Sequence, residues 1–310
     1  MALGGAAALV LPFAAGEYWA YVASLAYINV LLAVGLNFVL GYAGQFSFGH
    51  SALYGCGAYV TGLLMVHGGV TFVVAALIGV VTTVMISFLI AMPALRVSGI
   101  YLGIITVGFV ELFVWAARTW QSVTFGPTGF AVPAVNLAGV ELNSATRTYY
   151  LILFLTAFAM VGARRLVHSK LGRALVAIRD HEIAAQSLGV NAARYKLVAF
   201  ALSAAYAGLA GTLYAALLKY VSPMSFGVFE AIAQFNMLVI GGTGTFYGPM
   251  IGALSVTLLF ELLRTWTGLL EVLSGLSLLI FSLFLPLGIV GGLRRIGWIS
   301  QERLHGGMWR

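Results

Sequence analysis

Charged residues are scarce in this chain. Asp, Glu, Lys and Arg make up 8% of its 310 residues, where soluble domains average about 25%. A chain this apolar, with a mean hydropathy of +1.01, has too few polar residues to cover a core in water, so a soluble protein is excluded. Its one cysteine, Cys56, also excludes an intramolecular disulfide framework.

Motifs for nucleotide binding and catalysis are absent as well. The sequence has no G-x-x-x-x-G-K-[ST], and so no phosphate-binding ATPase loop of its own. It has no H-E-x-x-H, no His/Cys cluster with metal-ligand spacing and no G-x-S-x-G nucleophile motif. We therefore predict that the chain is not an enzyme, with no catalytic residue, metal site or cofactor. Its net charge of +7 lies in loops between apolar segments, which favours a membrane topology signal over nucleic-acid binding.

What the chain does have is apolar segments, ten of them. A helix needs roughly 20 apolar residues to cross the hydrocarbon of a bilayer. The sequence predicts an all-α polytopic membrane protein with about 8–10 transmembrane helices in a single transmembrane domain over 1–310. A helix break is predicted at Gly241–Pro249, because the segments on either side are short. The apolar segments are 2–15, 18–40, 47–66, 70–93, 100–118, 148–164, 197–218, 229–242, 248–264 and 268–291.

A basic loop sets the expected orientation. Seven of the chain's sixteen Lys and Arg residues lie between Arg164 and Lys196, and basic loops between spans are retained in the cytoplasm. Placing 165–196 there puts the turn-rich 119–147 loop outside, together with 219–228. With three crossings after 229, the basic tail returns inside, and both termini are predicted to be cytoplasmic.

The same loop contains the pattern Glu182-x-Ala184-Ala185-x-x-x-Gly189. It predicts a short helix around Arg173 to Leu188, ended by Gly189 in a left-handed conformation. One face of this helix collects Ala174, Leu175, Ile178 and Ala185, and the charged rim includes Arg173, Arg179, Asp180 and Glu182. Two interpretations stay open, a helix that docks a partner protein or an amphipathic helix lying on lipid headgroups.

A few polar residues fall within the apolar segments, where they are costly and so indicate function. The candidates for a translocation path are Asn37, Gln45, His50, Glu111 and Asn236. The alternative for each is an interhelical hydrogen bond, and for Glu111 an ion pair with Arg118. A faint repeat accompanies them, because GYAGQF at 41–46 and GGTGTF at 241–246 share G-x-x-G-x-F, and repeated halves with broken helices are typical of transporters.

Long ordered blocks of the sequence resemble the permeases of branched-chain amino acid ABC importers. The blocks are GLNFVLGYAGQFSFGHSALYGCGAYVTG from Gly35, PALRVSGIYLGIITVGFVEL from Pro93, LGRALVAIRDHEIAAQSLGVNAARYK from Leu171 and VIGGTGTFYGPMIGAL from Val239. The chain is most similar to the second member of the permease pair, which has the longer external loop.

The resemblance implies a larger machine in a bacterial or archaeal plasma membrane. Such permeases pair with a sister permease subunit, two cytoplasmic ATPases that bind ATP, and a periplasmic or lipid-tethered binding protein. By motif, Glu182, Ala184, Ala185 and Gly189 would lie in the helix that couples to the ATPase, and the rim residues Arg173 and Arg179 join this predicted set. The whole of 1–310 would then be one permease domain, with 165–196 as its cytoplasmic coupling loop.

The leading hypothesis is therefore a permease subunit that translocates branched-chain or related amino acids. A second hypothesis keeps the machine and changes the cargo to urea or a short amide, since the binding protein selects the cargo. A third, from another class, is an ion-coupled secondary carrier. A carrier needs no ATPase-docking loop, so the pattern at Glu182 to Gly189 argues against it.

Overall fold

The fold is almost entirely helical, as predicted. The computed structural model describes residues 2–97, 99–137, 140–141, 144–263, 275 and 288–290. Most of the last apolar segment, 268–291, and the basic tail lie outside these residues. The helices are α1 (Ala2–Asn37), α2 (His50–Gly68), α3 (Phe72–Ala94), α4 (Ile100–Thr119), α5 (Gln121–Thr124), α6 (Ala145–Val167), α7 (Lys170–Ser187), α8 (Ala192–Leu218), α9 (Val228–Gly241) and α10 (Gly248–Leu263), with a π-helix at Phe38–Tyr42 and 3₁₀ turns at Gly126–Thr128 and Pro223–Phe226.

Several of these helices are long and apolar enough to cross a bilayer. In the described part of the chain five qualify, namely Gly16–Tyr42, α3, α4, α6 and α8. The 19-residue α2 falls below their hydropathy, and its side chains, including His50, Ser51 and Thr61, are largely buried. A helix enclosed by other helices does not face lipid, which explains how α2 tolerates its polar residues.

The centre of the bundle is the contact between α2 and α8. A Cβ added at Gly57 would lie 2.7 Å from the Cα of Gly208, so the two backbones touch where the helices cross. Small residues allow this close approach, which is how helices associate inside a membrane. Large buried side chains such as Phe200 and Leu213 extend the core on either side of the crossing.

Two helix breaks occur where the apolar segments predicted them. Gly16 adopts φ 83°, ψ 175°, which interrupts α1 between the predicted segments 2–15 and 18–40. The second break separates α9, which ends at Gly241, from α10, which begins at Gly248. The predicted break at Gly241–Pro249 is confirmed to within a residue.

Short strands were missed by the sequence analysis. β1 (Phe130–Ala131) pairs antiparallel with β4 (Tyr220–Val221), and β2 (Asn136–Leu137) pairs with β3 (Val140–Glu141). Two residues are too few to show the alternation that identifies a strand. The β1–β4 pair joins the 119–147 loop to the connection after α8, so both loops lie at the same end of the bundle, as the predicted topology requires.

Candidate functional site

The helix α7 lies between two spans at the end of α6 opposite the 119–147 loop. Ser169 caps its start, because the Ser169 side chain accepts a hydrogen bond from the Leu171 amide at 3.1 Å. Its end is a Schellman motif: Gly189 N–H donates to Gln186 O at 2.9 Å, and Val190 N–H donates to Ala185 O at 3.0 Å. Gly189 has φ +85°, which confirms the predicted helix end and its reason.

The inner face of α7 is the apolar face that the sequence predicted. Ala174, Leu175, Ile178 and Ala185 are all buried. His181 leaves the helical conformation at φ −153°, ψ 91°, so α7 is two short arms with a kink between them. The first arm lines a cavity together with Tyr42 and Val167.

The outer face of the second arm carries two apolar side chains that the sequence analysis missed. Ile183 is 84% exposed and Leu188 is 86% exposed. Their signal was present in the sequence, because both sit in the Glu182 to Gly189 pattern among polar residues. Arg173, Ala184 and Gly189, which were predicted to couple to an ATPase, are also exposed.

Other members of the predicted coupling set are engaged within the chain. Lys196 Nζ, in the first turns of α8, donates to both carboxylate oxygens of Glu182 at 2.8 and 2.9 Å. The Lys196 side chain is 6% exposed and that of Glu182 is 39% exposed. Ala185 packs against Ile178 and Ala192, so this pair and this contact fasten the second arm to the foot of α8.

Arg179 reaches away from the outer face towards both glycine-rich breaks. Its Nη1 donates to Gly41 O at 2.8 Å, and its Nε and Nη2 lie 3.0 and 2.9 Å from Asp180 Oδ1. A Cβ at Gly44 would lie 2.8 Å from Arg179 Cγ, and a Cβ at Gly244 would lie 2.7 Å from Arg179 Nη1. The Arg179 side chain, which is 29% exposed, therefore lies against glycines of both stretches.

Asn37 joins the same two stretches directly. Its Nδ2 donates to Thr245 O at 2.9 Å, and its Oδ1 accepts from the Gly244 amide at 2.9 Å. Asn37 is 2% exposed, so this paired amide is a buried tie between the end of α1 and the break before α10. The structure thus brings Asn37 and Arg179 together, an association that the sequence analysis did not predict.

Three further path candidates are also buried, namely Gln45, His50 and Asn236. Gln45 Nε2 donates to Ala43 O at 3.4 Å, and His50 Nδ1 lies 2.9 Å from Ser203 Oγ on α8. The His50–Ser203 contact fits the interhelical alternative, whereas the Gln45 contact is local to its own segment. Buried polar groups near a helix break also fit a path.

Glu111 differs from all of these because it is exposed. It is the twelfth residue of α4, roughly 16 Å along a 20-residue helix and so near the middle of a span. Within the described part of the chain no ion pair joins it to Arg118, whose Nη2 instead donates to Met224 Sδ at 3.2 Å. Its neighbours on this face, Leu112 and Trp115, are also exposed.

A bundle of helices long and apolar enough to span a membrane, with broken helices and a capped helix between two of the spans, is the architecture of a polytopic membrane protein. The family model described as "Branched-chain amino acid transport system / permease component" matches residues 18–285. The chain belongs to this family.

Individual relatives agree with the family match. The chain is 31% identical to the high-affinity branched-chain amino acid transport system permease protein LivM of Salmonella typhimurium, covering 91% of this chain and 72% of that protein. It is 27% identical to LivH of Escherichia coli, covering 84% of this chain and 90% of LivH. The autoinducer 2 import system permease protein LsrC of Klebsiella pneumoniae is 31% identical over 40% of this chain and 38% of LsrC. No solved structure matches the chain.

Proposed function

We propose that this chain is a permease subunit of an ATP-driven importer of branched-chain or related amino acids. It would pair with a sister permease, receive its cargo from a binding protein, and couple to two cytoplasmic ATPases through the 165–196 loop. The identity with LivM exceeds that with LivH, which supports the role of the second member of the pair. Both termini would lie in the cytoplasm.

The single observation that carries the proposal is the exposed apolar pair on α7. Ile183 and Leu188 project from a helix outside the spans, on an arm that is fastened to α8 through Glu182. Burying two side chains of this size stabilises a contact by about 1.5–3 kcal/mol each. A capped arm that is tied to α8 and presents such a pair is suited to dock in a groove of a partner protein.

The exposed Glu111 supports a second permease subunit. A carboxylate near the middle of a span is costly against lipid, yet nothing in the described chain covers it. A sister subunit or a wet path between the two subunits would give it polar surroundings. An amino acid carries an ammonium group, for which a carboxylate is a suitable partner.

The docking proposal is tested by co-purification. Ile183→Asp together with Leu188→Asp, in a complex co-expressed with the ATPases, the sister permease and the binding protein, is expected to lower the yield of bound ATPase at least about tenfold, since two desolvated charges replace apolar contacts. Lys170→Asp, an acid at the exposed start of the same helix, serves as matched control and is expected to retain the ATPases. Full retention of ATPase in the double variant would contradict the docking surface.

Transport assays test the cargo and the energy source. Proteoliposomes with the binding protein outside and ATP inside are expected to take up labelled leucine, and excess urea is expected not to compete. Uptake that follows an ion gradient without ATP would instead favour a secondary carrier. Uptake of urea in place of leucine would favour the alternative cargo.

A further inference from the structure

The two G-x-x-G-x-F stretches share a left-handed glycine at the same position as well as a sequence pattern. Gly44 and Gly244 are the fourth residue of their stretches, and both have a left-handed φ, at +67° and +70°. Residues with side chains rarely adopt this conformation, so glycine is required at both places. Each stretch contains the end of a helix: the first contains the end of the π-helix Phe38–Tyr42, and the second contains the end of α9.

The equivalent stretches also touch each other. A Cβ at Gly41 would lie 2.6 Å from Gly244 N, and the amide of Asn37 bonds to Gly244 and Thr245. Together, 41–46 and 241–246 form one junction, which we call the glycine junction. Because it joins the ends of α1 and α9 to the start of α10, a displacement here changes the relative position of three helices.

Arg179 is the point at which α7 holds the glycine junction. Its guanidinium donates to Gly41 O, a carbonyl at a helix end where the backbone dipoles leave partial negative charge. Its stem crosses Gly44, and its Nη1 packs against Gly244. A guanidinium presents several donors in a fixed plane, which makes such a contact directional.

The two arms of α7 have separate anchors on either side of the kink at His181. Arg179 fastens the first arm to the glycine junction, and Glu182 fastens the second arm to Lys196 of α8. We infer that Arg179 is a positioning residue which makes α7 and the glycine junction move as one body, so that displacement of α7 by the ATPase repositions the broken helices. This inference rests on the proposed function.

The first test measures coupling in the reconstituted complex. In complexes that retain their ATPases, Arg179→Ala is expected to lower leucine uptake per ATP hydrolysed about tenfold or more, as loss of a charge-assisted contact implies. Lys170→Ala removes an exposed cation from the same helix and serves as control, with unchanged coupling expected.

The outcomes separate the inference from the proposed function. If the wild-type complex shows no ATP-dependent uptake, the proposed function fails. If the wild type transports and Arg179→Ala transports with the same uptake per ATP, only the inference is overturned. If Arg179→Ala does not assemble, the decision passes to a second experiment that keeps Arg179.

That experiment links α7 to the glycine junction covalently. In a Cys56→Ala background, Ala177→Cys and Thr243→Cys place thiols at exposed positions on the helix and beside Gly244, where a flexible, cleavable bis-maleimide can join them. If α7 and the glycine junction move together, a link between them does not obstruct transport. Uptake by the linked protein is therefore expected to equal uptake by the same protein after cleavage. Loss of uptake that cleavage restores would show relative motion and overturn the inference. Failure of bis-maleimides of every length to join the two thiols would contradict the proximity of α7 to the glycine junction.

Discussion

The helices α8 and α4 are both apolar enough to span a membrane, yet they stand in opposite relations to the rest of the chain. In the most apolar window of α8, 61% of residues are buried, against 33% in α4, although α4 is the more hydrophobic of the two. Small residues account for the difference, because Gly208 and Gly211 bring α8 against the backbone of α2. Burial in this bundle therefore follows close packing rather than hydropathy.

One charged residue of each helix, among the two that each contains, shows the same contrast. Lys196 at the foot of α8 is buried and paired with Glu182. Glu111 in the middle of α4 is exposed, and the described residues supply it with no partner. The charge on α8 is paired within the chain, whereas for the charge on α4 we propose a partner in the assembled transporter.

The largest expected effect tests the packing of α8 against α2. A Cβ at Gly211 would lie 2.7 Å from Ala58 N and 3.1 Å from Gly57 C, and a backbone in the centre of the bundle cannot yield as a side chain can. Gly211→Leu is expected to destabilise the fold by about 3 kcal/mol or more, the upper end for overpacking. Monodisperse yield and thermal midpoint in detergent measure it.

The control for this prediction lies on α4. A Cβ at Gly108 would meet nothing within 4 Å, so Gly108→Leu is expected to leave the yield and midpoint of the isolated subunit unchanged. Equal yields of the Gly211 and Gly108 variants would contradict the claim that packing at α8 holds the bundle together.

The sequence predicted the fold class, the bounds of the apolar segments up to residue 264 to within a few residues, and the break at Gly241–Pro249. These depend on long apolar runs and on glycine and proline. It predicted the Gly189 helix end for the same local reason. It could not predict that Asn37 bridges to Gly244 or that Lys196 pairs with Glu182, since these contacts join residues that only the tertiary fold brings together.

The repeat at 41–46 and 241–246 lies between what the sequence predicts and what only the tertiary fold shows. Its six positions were a weak signal in a chain with 38 glycines, and no local rule assigns it a partner. The shared left-handed conformation of Gly44 and Gly244 and the contact between the stretches give it a structural basis. The direction of the Arg179 side chain could not be predicted either, because an arginine at the edge of a helix faces solvent unless a nearby group accepts its hydrogen bonds.

A smaller effect is expected from the charge on α4. Glu111→Ala removes a charge that is costly in lipid, so the isolated subunit is expected to be as stable as wild type or slightly more stable. In the assembled complex the same variant is expected to lower leucine uptake about tenfold, the loss typical of one charged contact. Thermal midpoints of the subunit and uptake by the complex provide the two measurements.

The matched control keeps the shape of the side chain. Glu111→Gln tests whether the charge or the hydrogen-bonding oxygen matters, and it is expected to fall between alanine and wild type in uptake. Wild-type uptake by the alanine variant would remove Glu111 from the path, and a destabilised subunit would mean that the chain itself satisfies the carboxylate.

The smallest expected effect concerns Lys196 of α8. It is a difference in stability between the variant that removes Glu182 and the variant that removes Lys196. Glu182→Ala leaves the buried Lys196 ammonium without its carboxylate, whereas Lys196→Met replaces that ammonium with an apolar group and leaves a part-exposed Glu182 that water can reach. Removing the exposed partner is therefore expected to cost more, by about 1 kcal/mol, because an unpaired buried charge is the larger penalty. The thermal midpoints of the two single variants and of Glu182→Ala combined with Lys196→Met measure it, the double variant being expected to regain most of the loss. An equal loss in the two single variants, or a double variant less stable than both, would mean that the pair contributes through packing of the α7 arm rather than through charge. In that case α8 and α4 would not differ in how their charges are satisfied.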